Sequence, residues 1–155
     1  QDSNGDTALV LAAIGGHERV VGLMLQRGAG AEVNMQSRKG RTALMVAASK
    51  GRDRVVELLL QHSAELNLQD GHGGTALVDA AGFGNERVVE LMLQRSAGAE
   101  VNMQSRKGRT ALMVAASKGR DRVVELLLQY SAEVNQQESN GGAALMDAVG
   151  CGNER

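Results

Sequence analysis

The sequence repeats itself, and this repetition is the strongest constraint on how the chain can fold. Residues 29–61 recur without change at 97–129, a displacement of 68 residues. The segment Thr-Ala-Leu marks a shorter step and begins at Thr7, Thr42, Thr75 and Thr110, with a weakened Ala-Ala-Leu at Ala143. The step therefore alternates between 35 and 33 residues. A period of roughly 20 to 50 residues is typical of solenoids, whose units are too small to bury their own apolar faces and stack on their neighbours.

Each unit contains two short apolar segments with helical spacing. In the second unit they occupy residues 43–48 and 55–60, which predicts two short antiparallel helices. Thr42 is a suitable N-cap for the first helix, and Gly51 can adopt the left-handed conformation that ends it. Asp53 lies at the start of the second helix, where a carboxylate is favoured by the helix dipole. A glycine stands two residues before each Thr-Ala-Leu or its equivalent and predicts a tight hairpin-like turn with positive φ: Gly5, Gly40, Gly73, Gly108 and Gly141.

The composition indicates a thin aliphatic core. Phe83 and Tyr130 are the only aromatic residues, so Ala, Val, Leu and Met must supply the buried surface. No apolar run approaches the roughly 20 residues that cross a bilayer, and the first residues do not resemble a secretory leader. The single cysteine, Cys151, cannot form an internal disulfide. We therefore expect a soluble, cytoplasmic protein without membrane insertion.

The repeated unit closely resembles the ankyrin repeat. The resemblance is carried by Gly-x-Thr-Ala-Leu, the Ala-Ala pair with its following Gly, Arg-Val-Val, Leu-x-Leu-Gln and the closing Ala-Glu-Val-Asn at 132–135. It implies an all-α solenoid of antiparallel helix pairs joined by β-hairpin-like turns. It also implies one array over 1–155, with units at about 1–35, 36–68, 69–103 and 104–136 and a partial unit at 137–155.

Two departures from the family pattern affect the turns and the edge of the stack. The family's Pro is replaced by Ala at every unit, and its His by Val or Met, as at Val10 and Met45. We expect the turns to depend more on packing and on the Thr hydroxyl in consequence. The longer units carry the extra pairs Gly30-Ala31 and Gly98-Ala99, which should form a loop at one edge.

Catalytic and metal-binding patterns are weak in this sequence. The histidines His17, His62 and His72 occupy non-equivalent places in their repeats and lack metal-ligand spacing. The glycine-rich segment 70–74 lacks the Gly-Lys-Ser/Thr ending of a phosphate loop, and Cys151 has no suitable His partner nearby. We expect a non-catalytic protein without metal or cofactor.

The resemblance implies that a partner binds to the hairpin tips and the inner, concave helices. Basic residues recur there in the second and fourth units, with Asp6, Asp79 and Asp147 near the same surface in the others. An acidic or periodic protein partner would fit this pattern, and so would a plain solvated surface. Nucleic acid is disfavoured by the net charge of −1 and the scarcity of aromatics. The candidate contacts, whose tip residues should be solvated, are Arg38, Lys39, Arg41, Lys50, Asp79, Phe83, Arg106, Lys107, Arg109 and Lys118.

A structural role is the alternative hypothesis. Residues 1–61 and 69–129 differ at nine positions, and an adapter for one irregular surface gains little from presenting the same face twice. Neither end of the sequence has the polar unit that usually closes a solenoid. The alternatives are therefore a piece of a long ankyrin scaffold or a rod that stacks end to end with copies of itself into a filament.

Overall fold

The computed structural model describes residues 1–28, 32–95 and 98–136. In that part of the chain, α-helices follow one another in pairs. They are α1 (Ala8–Gly15), α2 (Glu18–Gln26), α3 (Ala43–Ser49), α4 (Asp53–Gln61), α5 (Ala76–Phe83), α6 (Glu86–Arg95), α7 (Ala111–Ser117) and α8 (Asp121–Gln129). One 3₁₀ helix, Gly98–Asn102, precedes the turn before α7.

The helix pairs stack in single file. The first helices of the pairs, α1, α3, α5 and α7, pack on one another in order and form the inner row. The second helices, α2, α4, α6 and α8, form an outer row in the same order, and each also packs on its own partner. The predicted all-α repeat solenoid is therefore confirmed.

The inner helices begin and end as the sequence predicts. Each of the four threonines accepts a hydrogen bond from the backbone N–H three residues later, as Thr42 Oγ1 does from Met45 at 3.3 Å. Asp53 opens α4, where its negative charge favours the helix N-terminus. Gly51 has a φ of 63° just after α3, and Gly40 has a φ of 74° in the preceding turn. A residue with a Cβ would be strained at such angles.

The core is aliphatic and continuous through the stack. The paired alanines, such as Ala47 and Ala48, are buried on the inner helices, which lets neighbouring helices approach closely. Met45, Met92 and Met113 are fully buried, while Met24 packs against the core from a partly exposed position. These methionines contribute to the core, as the composition predicts.

The turns form an edge along the stack that is joined by backbone hydrogen bonds. Although the described residues contain no β-strand, each turn closes like a small hairpin, with Ser37 N–H donating to the Arg41 carbonyl at 2.9 Å. Successive turns are also joined to one another: Gly71 N–H donates to the Lys39 carbonyl at 2.9 Å, and Arg106 N–H to the His72 carbonyl at 3.1 Å.

A ladder of glutamine amides reinforces this edge. Gln36 Nε2 donates to the carbonyl of Gly40 in its own turn at 2.8 Å and to the carbonyl of Gln69 in the next at 2.9 Å. Gln69 Nε2 repeats the arrangement with Gly73 at 2.9 Å and Gln104 at 3.0 Å. The side chain of one unit therefore fixes the position of the next turn.

Some of the sequence-based expectations fall outside the described residues. These are the partial unit at 137–155, with Gly141, Asp147 and Cys151, and the inserted pair Gly30-Ala31. The equivalent pair, Gly98-Ala99, belongs to the 3₁₀ helix, so the expectation of a loop there was wrong. None of the described helices has the length and apolar character needed to cross a bilayer.

Candidate interaction surface

Three adjoining grooves lie between the turns and the inner helices. The first groove, about 480 Å³, is lined by Asn4, Asp6, Ile14, Ser37, Lys39, Arg41, Val46, Ser49, Lys50 and Phe83. The turn groove, about 700 Å³, is lined by Arg41, Asp70, His72, Gly74, Val78, Asp79, Ser105, Arg106 and Lys107. The helix groove, about 290 Å³, is lined by Val78, Asp79, Gly82, Phe83, Val114, Lys118 and Arg120. Shared lining residues make the three grooves one surface.

The first groove combines an apolar floor with a basic rim. Ile14 and Val46 are half-buried on α1 and α3, and Phe83 projects from the end of α5 with 62% of its surface exposed. Lys39 on the turn and Lys50 at the end of α3 are exposed. Across the described ranges, no carboxylate forms a salt bridge with either ammonium group.

Arg41 is held by an ion pair within the chain. Its Nη2 lies 2.8 Å from Oδ2 of Asp79, on the inner helix of the following pair, and 28% of the Arg41 side chain and 21% of the Asp79 side chain remain exposed. The expectation that Arg41 is solvated was therefore wrong. The pairing arises because α5 stacks against α3, which brings Asp79 within reach of the preceding turn.

The same burial changes the acidity of Asp79. Desolvation raises the pKa of its carboxyl group from 3.8 to about 6, because a buried carboxylate loses water contacts. The Arg41 guanidinium lowers this pKa and the nearby Asp70 raises it, and burial is the dominant effect. Asp79 is therefore a weaker acid than an ordinary aspartate, on a surface that also carries Asp6 and Asp70.

Arg109, the counterpart of Arg41 in the second half, is placed differently. It is half-buried, and its Nη2 donates to Ser117 Oγ at 2.9 Å on the inner helix that follows its own turn. The expectation of a solvated side chain was wrong here too. Arg38 is exposed, but it lines none of the three grooves.

The structure thus gathers most of the predicted contacts into this surface. Lys39, Arg41, Lys50 and Phe83 line the first groove, with Arg41, Asp79, Arg106 and Lys107 in the turn groove and Asp79, Phe83 and Lys118 in the helix groove. Arg38 and Arg109 line none of the three grooves. The sequence-based prediction included Phe83 but not Ile14 and Val46, which complete the apolar floor, although Ile14 differs from its counterpart Gly82 and that difference was the available signal.

The turns differ in how they are held. Oδ1 of Asp70 accepts hydrogen bonds from the backbone N–H groups of His72 and Gly74, both at 2.9 Å, and Asp2 does the same in the first turn. Ser37 Oγ and Ser105 Oγ instead accept one bond each. The alternation of Asp and Ser at this position therefore changes how each turn is held.

Within the ranges that the structure describes, no group of three or more His, Cys, Asp or Glu side chains is arranged to hold a metal ion. A family model for ankyrin repeats in three copies matches residues 1–70, 25–105 and 77–155. These overlapping matches extend over the whole sequence. A search of curated proteins gave no significant match.

Proposed function

This chain belongs to the ankyrin repeat family, and from that membership we propose that it is a scaffold that binds a protein partner through its turns and inner helices. Ankyrin repeats are generally protein–protein interaction modules, and the family is typically non-catalytic. The partner-binding surface in this proposal is the set of three grooves.

The observation that supports this proposal is the concentration of exposed cations along one surface. Lys39, Lys50, Arg106, Lys107 and Lys118 are exposed and line the grooves, and none forms a salt bridge within the described part of the chain. By contrast, arginines on the outer helices pair with glutamates one turn away, as Arg54 does with Glu57 at 2.6 Å. Charges left without intramolecular partners favour an acidic protein surface and speed its association.

Charge reversal on the tips tests the proposal. The tip variant replaces Arg38, Lys39, Arg106 and Lys107 with Glu and leaves the ion-paired Arg41 in place. Partners would be captured from a lysate on the immobilised wild-type chain, identified by mass spectrometry, and measured again with the variant. We expect the variant to lose the partner while its thermal unfolding changes little, because these side chains are exposed.

A matched control separates a specific surface from a general charge effect. It carries four reversals on the outer row, at Arg19, Arg54 and Arg122 on the helices and at Arg27 just after α2, and so has the same net charge as the tip variant. We expect this control to keep the partner. Equal loss of binding in both variants would contradict the assignment of the partner to the grooves and the turns.

The second candidate function is a structural rod that assembles end to end. It is favoured by the near-identity of 1–61 and 69–129, since a regular rod needs the same face in every period. Sedimentation and light scattering over a range of concentrations, with electron microscopy of the same samples, would test it. A species of constant mass without filaments would remove this candidate.

A further inference from the structure

We infer that the first groove sets the specificity of this surface and takes an acidic peptide segment with one bulky apolar side chain. This inference rests on the proposed function. It names the chemistry of the partner and the groove that recognises it.

The apolar floor of the first groove is the reason for expecting a bulky apolar side chain in the bound peptide. Ile14, Val46 and Phe83 come from three successive inner helices and face one cavity of about 480 Å³. That volume lies within the range of roughly 300 to 1,000 Å³ that is usual for ligand pockets. A bulky apolar side chain that covers Phe83 would remove its exposed surface from water, which is favourable.

The basic rim of the first groove is the reason for expecting acidic residues on both sides of the apolar side chain of the peptide. Lys39 and Lys50 stand on the turn and at the end of α3, and both ammonium groups lack a carboxylate partner in the described ranges. Arg41 also lines the groove, but Asp79 already offsets its charge. Asp6 is the only acidic residue in the lining, so the rim remains positive overall. Carboxylates on either side of the apolar residue would complement it.

The second half of the molecule does not repeat this groove. The residues 68 positions on from Lys39 and Lys50 are Lys107 and Lys118, and they line separate cavities, the turn groove and the helix groove. Ile14 is replaced there by Gly82. A Cβ on Gly82 would lie 2.9 Å from Cγ1 of Val114, so the valine already occupies that space.

This difference argues against two equivalent binding sites. Phe83 corresponds in sequence to Cys151, which lies outside the described residues. An apolar floor made by three large side chains is therefore found in the described structure only at the first groove, where α5 supplies Phe83. One segment of a partner is therefore enough to fill the first groove, and a periodic partner is not required.

Selection from a random peptide library on the immobilised wild-type chain would test this inference. We expect the enriched peptides to have Asp or Glu on both sides of one large aliphatic or aromatic residue. The Kd of an enriched peptide would then be measured by fluorescence anisotropy. Lys50→Glu should raise it about tenfold, the effect of about 1.4 kcal/mol, and Phe83→Ala should raise it as well.

Arg19→Glu is the matched control, because Arg19 is exposed on α2 and lines none of the three grooves, while its reversal changes the net charge by the same amount. We expect it to change the Kd by less than about twofold. Circular dichroism would show whether each variant keeps its helices, and both side chains are exposed.

The outcomes separate this inference from the proposed function. Enriched peptides without acidic residues, or equal losses of affinity from Lys50→Glu and Arg19→Glu, would overturn the inference and leave the partner-binding role intact. An absence of enriched peptides would overturn it as well, and the capture experiment with the tip variant would then judge the broader role by itself.

Discussion

The two halves of this molecule share one scaffold and differ mainly at the turns and along the inner helices. Residues 1–61 and 69–129 are identical at all but nine of 61 positions. The shared residues include the threonine caps, the paired alanines and the turn glycines. The differing pairs are Ser3/Gly71, Asn4/His72, Asp6/Gly74, Leu11/Asp79, Ile14/Gly82, Gly15/Phe83, His17/Asn85, Gly22/Glu90 and Gly28/Ser96. Six of these pairs lie on a turn or along an inner helix, so the scaffold tolerates a new surface without a new fold.

The surroundings of a residue depend on the place of its unit in the stack as well as on the sequence of that unit. Val20 is 45% exposed on α2, whereas the equivalent Val88 is fully buried on α6, an outer helix that packs against both α4 and α8. Leu11 is 48% exposed, while Asp79 at the same place in its unit pairs with Arg41 of the preceding turn. The same unit therefore has different energetics in each half, because burial depends on the neighbouring unit.

The largest expected effect tests the shared scaffold. Leu59→Ala and Leu127→Ala remove equivalent side chains that are both fully buried. Each should destabilise the protein by about 2 to 5 kcal/mol, through lost apolar contact and a residual cavity. Urea unfolding of the two variants would measure this. If the free energy of unfolding fell by less than about 1 kcal/mol in only one of the two variants, the two halves would not be packed in the same way.

A smaller effect tests the difference between Leu11 and Asp79. Because the pKa of Asp79 is raised from 3.8 to about 6, the folded protein keeps a proton that the unfolded chain has already released in this range. The contribution of Asp79 to stability is therefore highest below about pH 4 and falls as the pH rises to about 6. The fall should be about 1 to 3 kcal/mol, since one pKa unit corresponds to about 1.4 kcal/mol.

Asp79→Asn provides the reference for this measurement, because its amide does not titrate. Urea unfolding of both proteins between about pH 4 and pH 7 would give the difference in their stabilities. We expect the wild-type chain to lose stability relative to the variant as the pH rises. A constant difference over this range would contradict the assigned acidity of Asp79.

The smallest expected effect concerns the pair Gly22/Glu90 on the outer row. Gly22 lies inside α2, and a Cβ added there would meet no atom within 4 Å. Gly22→Ala should therefore stabilise the protein by about 0.5 to 1 kcal/mol, since glycine is a poor helix residue. Thermal unfolding would detect the gain, with Glu90→Ala as a nearly neutral control. A loss of stability would indicate that α2 needs the glycine.

The scaffold was predictable from the sequence because its signals are local. The threonine caps, the positive φ angles of the turn glycines and the helix bounds depend on residues within one unit, and the structure confirms them. The solenoid itself followed from the repeat. Each of these features is specified over a few residues, so it does not require the relative position of neighbouring units.

The surface was predictable only in part, since it depends on contacts between units. The salt bridge between Arg41 and Asp79 joins residues 38 positions apart, and the sequence shows only that both lie near the same face. The bonds from Gln36 to Gln69 were missed for the same reason. The apolar floor around Ile14 was missed because half-buried residues on an inner helix have the same spacing as core residues.

The glutamine ladder makes the turn edge sensitive to deamidation. Gln36 Nε2 donates to two backbone carbonyls, and a side-chain amide is what allows it to do so. Deamidation would convert this group into a carboxylate, which has no hydrogen to donate and would face two carbonyl oxygens with a negative charge. The lesion would weaken the link between adjacent turns while the backbone hydrogen bond between Gly71 and Lys39 and the aliphatic core remained, so damage would begin at the turn edge and leave the helices packed.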